Sequence, residues 1–136
     1  MMRKDVFSTV RETLAIHVPE VRHIDLWNQN VEFIEEETAW ERPAVFVEFG
    51  PIAWEPLTGG GLIGRGQVRV HVVTDWNAGG QEASWYLANK IDRAINRSFG
   101  DHFKIMALVE TDTNHNHEEL LESIDTFDVR YYNLSL

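Results

Sequence analysis

The segment from Gln67 to Thr74 has the clearest period-two pattern in the chain and constrains the fold most strongly. Its apolar members are Val68, Val70 and Val72, and its polar members are Gln67, Arg69 and His71. In an extended strand these two sets point to opposite faces. The pattern therefore predicts a strand with one buried and one wet face, which is typical of an antiparallel sheet.

A second segment, from Ala44 to Trp54, has a similar alternation of apolar residues. Pro43 stands just before it, and Pro51 lies within it. Because proline cannot donate a hydrogen bond to a ladder, Pro51 is expected to break the pairing or to mark a sheet edge. We expect this segment and Gln67–Thr74 to be antiparallel neighbours, since a turn-rich connection joins them.

Two segments have helical rather than strand periodicity. In the first, Arg3–His17, the apolar residues are Phe7, Val10 and Leu14, with Val6 beside them. In the second, Gln81–Ser98, the apolar stripe consists of Ala83, Leu87, Ile91, Ala94 and Ile95. Pro19 and Gly100 suit the ends of these two helices.

Three further strands complete the predicted element order. They are expected near His23–Trp27, Phe103–Thr111 and Ile124–Leu134, with a polar turn at Asp112–Glu119. No strand–helix–strand series requires a parallel sheet. The 136 residues therefore predict a single α+β domain, with a mainly antiparallel sheet and two helices packed on one face.

Composition excludes several classes of function. Cysteine is absent, which excludes disulfides, thiolate catalysis and Cys-based zinc sites. There is no apolar run that would suit a signal peptide or a membrane span, so no membrane partner is expected. The net charge of −10 argues against nucleic-acid binding, because phosphate repels an acidic protein.

Charge is unevenly distributed along the chain. From Glu32 to Glu48 there are six glutamates and one arginine, whereas from Pro56 to Thr74 there are two arginines and no acid. One interpretation is a solvated acidic surface. The other is a set of complementary patches that join copies of the protein, since opposed fields set register and partner choice.

A glycine-rich stretch, Thr58–Gly66, lies between the two best predicted strands. Gly59, Gly61 and Gly64 match the dinucleotide fingerprint by letter, but a strand rather than a helix is expected to follow them, so no nucleotide cofactor is predicted. Ordering several glycines is unfavourable. We expect a long loop that is mobile in the isolated subunit and becomes ordered in an assembly.

Metal binding and catalysis have weak signals. His115 and His117 are separated by one residue, and Glu118 or Asp112 can add an oxygen ligand, but the stretch is predicted to be a turn without fixed ligand geometry. The serines lack a nucleophile-elbow motif, and the histidines are scattered. We expect no metal, no cofactor and no enzymatic activity.

The candidate subunit-interface residues combine apolar, aromatic and basic side chains. Leu62 and Ile63 lie in the middle of the glycine-rich stretch, and five tryptophans are predicted mostly at element ends or in loops. Interfaces are enriched in tryptophan at their centres. The selected residues are Leu62, Ile63, Arg65, Arg69, Trp54 and Trp76, with Arg65 expected to meet an acid of the Glu35–Glu37 run.

The layout resembles that of tail-terminator or tail-completion proteins of long-tailed bacteriophages. The resemblance is carried by the first helix, the proline-led strand Arg42–Phe49, the strand Gln67–Val73 before the second helix, and the last strand Phe127–Tyr131. It implies an α+β subunit that forms a homo-oligomeric ring, often hexameric, on the tail tube and contacts tail tube or neck proteins. It also implies a place in the virion tail after assembly in the bacterial cytoplasm, with no catalytic residues.

Two other classes of function fit the sequence. One is an adaptor or binding module of a bacterial cell that is unrelated to phage. The other is a small enzyme whose site is assembled from distant residues. Ring formation distinguishes the tail-ring hypothesis from the adaptor, and a deep polar pocket with converging titratable groups would favour the enzyme.

Overall fold

The structure is a computed structural model that describes residues 2–27, 41–75, 80–114 and 120–133. Its helices are α1 (Met2–His17) and α2 (Gly80–Ile95). Its strands are β1 (His23–Leu26), β2 (Ala44–Phe49), β3 (Ala53–Pro56), β4 (Leu62–Asp75), β5 (Phe103–Asn114) and β6 (Leu120–Asn133). The predicted α+β class is confirmed.

The strands form one sheet in the order β1-β2-β4-β6-β5, and β3 pairs with β4 beside the end of β2. All pairs are antiparallel except β1 with β2. The two segments expected to be neighbours pair from Ala44↔Val73 to Phe49↔Val68, as predicted. The Ala44–Trp54 segment divides into β2 and β3 around Pro51, which confirms the expected break.

Both helices pack on one face of the sheet, as predicted, and bury a single main core. The helices contribute Val6, Val10, Leu14, Leu87, Ile91 and Ile95, and the sheet contributes Val45, Val47, Val68, Val70, Val72, Phe127, Val129 and Tyr131. We call this side of the sheet the helix face and the other side the outer face. The predicted stripe of α2 is wrong at Ala83, which is exposed, whereas Ser84 and Ala88 are buried.

The glycine-rich stretch is not the long loop that the sequence predicts. Leu62–Gly66 belongs to β4, which pairs with β3 on one side and with β6 on the other. The turn is confined to the residues before Leu62, where Gly59, Gly60 and Gly61 have φ values of 90°, 107° and 84°. The prediction of a loop is therefore wrong for Leu62–Gly66.

Gly64 shows why this part of β4 escapes a periodicity argument. It has no side chain, and the ring of Trp54 from β3 covers it and lies 6.3 Å from the Tyr131 ring of β6. Neighbouring strands thus supply the apolar surface that glycine lacks, an arrangement known to stabilise glycine in sheets. The strand is specified by its neighbours rather than by its own alternation.

The predicted polar turn at Asp112–Glu119 is wrong at its start, and the last strand begins earlier than the predicted Ile124. Asp112 to Asn114 continue β5, and β6 begins at Leu120. Residues 115–119 lie outside the described ranges. The polar residues join the sheet because they pair in register, from Asp112↔Ile124 to Asn114↔Glu122.

Replacing Gly64 by alanine is expected to destabilise the fold. The new Cβ would lie 2.7 Å from Ile52 Cγ2 and 2.9 Å from the Trp54 ring, so packed side chains must move. Overpacking of this kind lowers the free energy of unfolding by about 1–3 kcal/mol. The matched control is Gly50→Ala, whose Cβ meets only the Gln67 carbonyl oxygen at 3.5 Å. Equal urea midpoints for the two variants would contradict the packing described for Gly64.

Candidate functional site

The outer face contains a buried polar network centred on His71. The sequence predicts that His71 shares a wet face with Gln67 and Arg69, and both of those residues are exposed. His71 itself is only 3% exposed, so the prediction is wrong at this position. The reason is that Ala44, Phe46, Val73 and Leu120 form a small second core on this face, with Trp27 packed against it.

Both ring nitrogens of His71 face carboxylates. Nδ1 lies 2.7 Å from Glu122 Oε2, and Nε2 lies 2.8 Å from Glu48 Oε1. The other oxygen of Glu122, Oε1, accepts a hydrogen bond from Asn114 Nδ2 at 2.7 Å, and the Trp27 ring stacks on His71 with centroids 3.6 Å apart.

This network joins three adjacent strands, because Glu48, His71 and Glu122 come from β2, β4 and β6 respectively. The imidazole has both nitrogens occupied by carboxylates and one ring face covered by Trp27. Such an imidazole is held in place and does not present a nitrogen to a substrate. The geometry therefore indicates a structural role in fixing strand register.

A second buried polar pair lies on the helix face. Asp125 of β6 is fully buried, and Thr111 donates a hydrogen bond to its Oδ1 at 2.7 Å. Asp92 approaches from α2, and burial together with a hydrogen bond to Asp125 and repulsion from it raises the pKa of Asp92 to about 8. At neutral pH the Asp92 carboxyl is therefore protonated and donates a hydrogen bond to Asp125.

The remaining oxygens support a shared proton between these two groups. Asp92 Oδ1 and Asp125 Oδ2 are buried and accept no hydrogen bond from an N–H or hydroxyl donor of the described chain. A carboxyl–carboxylate pair satisfies both of them, because the protonated partner supplies a donor. The sequence gives no signal for this pair, since Asp92 and Asp125 lie on elements 33 residues apart that only the tertiary fold brings together.

Most of the candidate interface residues lie at or near the β3–β4 hairpin. Leu62 and Ile63 are half-buried in β4 opposite Pro56 and Glu55, and Trp54 is 39% exposed. Arg65 is exposed on the outer face of the same strand. The hairpin thus unites four of the six residues, and their contact with another subunit stays a prediction.

The other two candidates lie apart from this group. Arg69 is further along β4, where a guanidinium nitrogen lies 4.0 Å from Glu48 Oε1. Trp76 lies outside the described residues, as do the Glu35–Glu37 run and His115, His117 and Glu118, which the sequence predicts not to form a metal site. Within the described ranges, no group of three or more potential ligands could hold a metal ion.

Several exposed apolar side chains are not among the candidates selected from the sequence. On α2, Trp85 and Tyr86 are 56% and 71% exposed, and Ile16 and Phe99 are also largely exposed. Trp85 lies inside α2, in agreement with the predicted helix Gln81–Ser98. No described helix is both long and apolar enough to span a bilayer.

The His71 network can be tested by replacing His71 with leucine. The change removes the hydrogen bond between His71 Nδ1 and the buried Glu122 carboxyl. Leaving a buried polar group short of a hydrogen-bond partner lowers the free energy of unfolding by about 1–3 kcal/mol. The control is the exposed His102→Gln, and adding Glu122→Gln to the leucine variant is expected to recover part of the loss. Equal urea stability for the leucine variant and the control would contradict the network's role.

The carboxyl pair predicts a specific pH dependence. Since folding raises the pKa of Asp92 from 3.8 to about 8, the folded state holds a proton that the unfolded chain releases. This group therefore makes the protein less stable as pH rises from about 4 to about 8. Asp92→Asn removes that loss of stability. The difference in thermal midpoint, variant minus parent, is therefore expected to be larger at pH 8 than at pH 4. The exposed Asp101→Asn is the control, and a pH-independent difference for Asp92→Asn would contradict the pairing.

Comparisons with known proteins give a structural match without a family. No family model matches the sequence, and no curated protein matches it. Among solved structures, the fold is similar to that of a chain from the virion of a native gene transfer agent (GTA) particle. The match has a TM-score of 0.59 at 12% sequence identity and covers 93% of each chain.

Proposed function

We propose that this protein is a structural virion subunit of a tailed phage, a prophage or a related particle. More specifically, we propose that it forms a homo-oligomeric ring as a tail terminator, tail-completion or head–tail joining protein. The single observation that carries the proposal is the fold shared with a chain of a gene transfer agent virion over 93% of both chains. Because the match covers nearly the whole of both chains, the two proteins share their overall architecture rather than one local motif.

The surface of the subunit supports association with other proteins. Tyr86, Trp85, Ile16 and Phe99 present large apolar surfaces to solvent, and aromatic residues of this kind are enriched at interface centres. A ring subunit needs two contact surfaces, one for each neighbour. Exposed apolar residues on both helices and in the turn before β5 offer more than one such surface.

The described titratable groups support a structural role rather than a catalytic one. His71 binds Glu48 and Glu122, and Asp92 of α2 is hydrogen-bonded to Asp125 of the sheet. Perturbed pKa values also occur in structural networks, and here each perturbed or buried acid has a partner that belongs to the scaffold. We therefore propose that the chain has no enzymatic activity.

The expectation that the Thr58–Gly66 stretch becomes ordered in an assembly cannot be tested by substituting its apolar residues. Replacing Leu62 and Ile63 by serine is a clean probe only if the two residues lie in a mobile loop. Both are half-buried in β4 and paired with β3 and β6, so the double variant is expected to weaken the subunit itself. Loss of assembly in that variant would not distinguish an interface from a damaged fold.

Solution mass as a function of concentration tests the proposal directly. We expect light scattering to show a closed oligomer of several subunits, and electron micrographs of the same sample to show rings that join to tail tubes when tube protein is added. A monomer at all concentrations, with and without tube protein, would contradict the ring and favour the cellular adaptor. The localisation proposed, in the virion tail after cytoplasmic assembly, is checked by detecting the protein in purified particles.

A further inference from the structure

Three cations form one row across the outer face of the sheet. Arg65 on β4 lies directly opposite Arg130 on β6, and Arg130 lies directly opposite Lys104 on β5. Residues opposite each other in a ladder share a face, with Cβ atoms about 4.5–5.5 Å apart. We call Arg65, Arg130 and Lys104 the basic row; its two outer members are exposed and Arg130 is half-buried.

The basic row is not neutralised within the described part of the chain. None of its members forms an ion pair there, although Arg69 lies near Glu48 and Asp128 accepts a hydrogen bond from Gln67. Like charges directly opposite each other destabilise a sheet. Only 12 of the 136 residues are basic and the net charge is −10, so three adjacent cations are not a consequence of composition.

An acidic counterpart lies on the same face at the far end of β5. Glu110 and Asp112 are exposed, and they lie opposite Thr126 and Ile124 of β6. Neither forms an ion pair among the described residues. At about 3.3 Å per residue, the strand separates Lys104 from Asp112 by roughly 20–25 Å. One edge strand therefore has a basic end and an acidic end, and the two are too far apart to pair within a subunit.

We propose that the basic row of one subunit binds Glu110 and Asp112 of a second copy of this chain. The proposal rests on the proposed ring and identifies one of its contacts. Because the two surfaces are different parts of the molecule, the contact is heterologous, and repeated heterologous contacts generate closed rings or filaments. Repulsion among Arg65, Arg130 and Lys104 makes the isolated subunit less stable. Each ion pair with a second copy removes part of that repulsion and so stabilises the assembly.

The geometry favours side-chain contacts over addition of a strand at the sheet edge. The pairing of β5 with β6 shifts register between Ile105 and Ala107 and again between Leu108 and Glu110. Such bulges twist an edge strand and discourage pairing with another strand. Beside the basic row, a hollow of about 260 Å³ is lined by Arg65, Met106, Asp128 and Arg130 among others, and it has room for an entering carboxylate side chain.

The experiment uses two charge-reversal variants and their mixture. In Arg65→Glu/Lys104→Glu the row becomes acidic while Arg130 gains an opposite charge on each side, so the subunit is expected to fold with a thermal midpoint at least as high as the parent's. In Glu110→Lys/Asp112→Lys the acidic end becomes basic. Lys4→Glu/Arg22→Glu and Asp5→Lys/Glu41→Lys change net charge equally at exposed positions outside the strands and α2, and they are the matched controls.

Each reversal variant alone is expected to have an association constant at least 10-fold weaker than the parent's, whereas the controls associate as the parent does. An equimolar mixture of the two reversal variants restores assembly, because each variant's row then meets the other's oppositely charged end. Light scattering and native mass spectrometry measure both results, and raising the salt concentration is expected to weaken the parent's assembly.

Three outcomes would overturn the proposal. If both reversal variants assemble as tightly as the parent, the contact lies elsewhere, although the ring itself stands. If the parent is a monomer at every concentration, the ring and this contact fail together. If the parent binds a duplex DNA of about 30 base pairs, and Arg65→Glu/Lys104→Glu abolishes that binding while leaving assembly unchanged, the row is a nucleic-acid site instead.

Discussion

The antiparallel pairing of β4 with β6 is the interaction on which the rest of the structure depends. The two strands pair without interruption from Leu62↔Asn133 to Asp75↔Leu120. β2 and β3 attach to the free side of β4, and β5 attaches to the free side of β6. The apolar residues that these two strands present to the helix face, among them Val68, Val70 and Phe127, form the surface on which both helices pack. Each proposed contact surface on the sheet is thus positioned by this one ladder.

The same ladder explains why the sheet tolerates buried acids. Glu122 and Asp125 both lie on β6, but they point to opposite faces, and each finds a partner that a neighbouring element supplies. His71 comes from β4 and Asp92 from α2, so the two pairs connect β6 to a neighbouring strand and to a helix. A buried carboxylate is tolerated only when a donor satisfies it. These pairs make the register of β6 and the position of α2 specific, since a one-residue slip would leave both acids unpaired.

Sequence reasoning succeeded where a residue's own side chain reports its environment. Val68, Val70 and Val72 identify β4, and Val10 and Leu14 identify the buried stripe of α1, because their periodicity follows from local geometry. It failed at Gly64, which has no side chain to show a period and is covered by Trp54 from another strand. It also failed at His71, because a second small core covers part of the outer face.

The proposed contact surfaces have the same dependence on tertiary structure. The unequal distribution of charge is visible in the sequence, and it motivates the idea of complementary patches. The basic row, however, joins Arg65, Lys104 and Arg130 from three strands, so it follows only from the register of β4, β6 and β5. The expectation that His115 and His117 hold no metal stays a prediction, since both lie outside the described residues.

The central claim is that the β4–β6 ladder is complete in the isolated subunit, so that assembly joins preformed surfaces. Amide hydrogen exchange measured on dilute monomer and on concentrated, assembled protein tests it most directly. The account predicts that the amides of Leu62–Gly66 are strongly protected in both samples, because neighbouring strands pair with this segment on both sides. Rapid exchange of Leu62–Gly66 in the dilute monomer, with protection gained only on assembly, would contradict it.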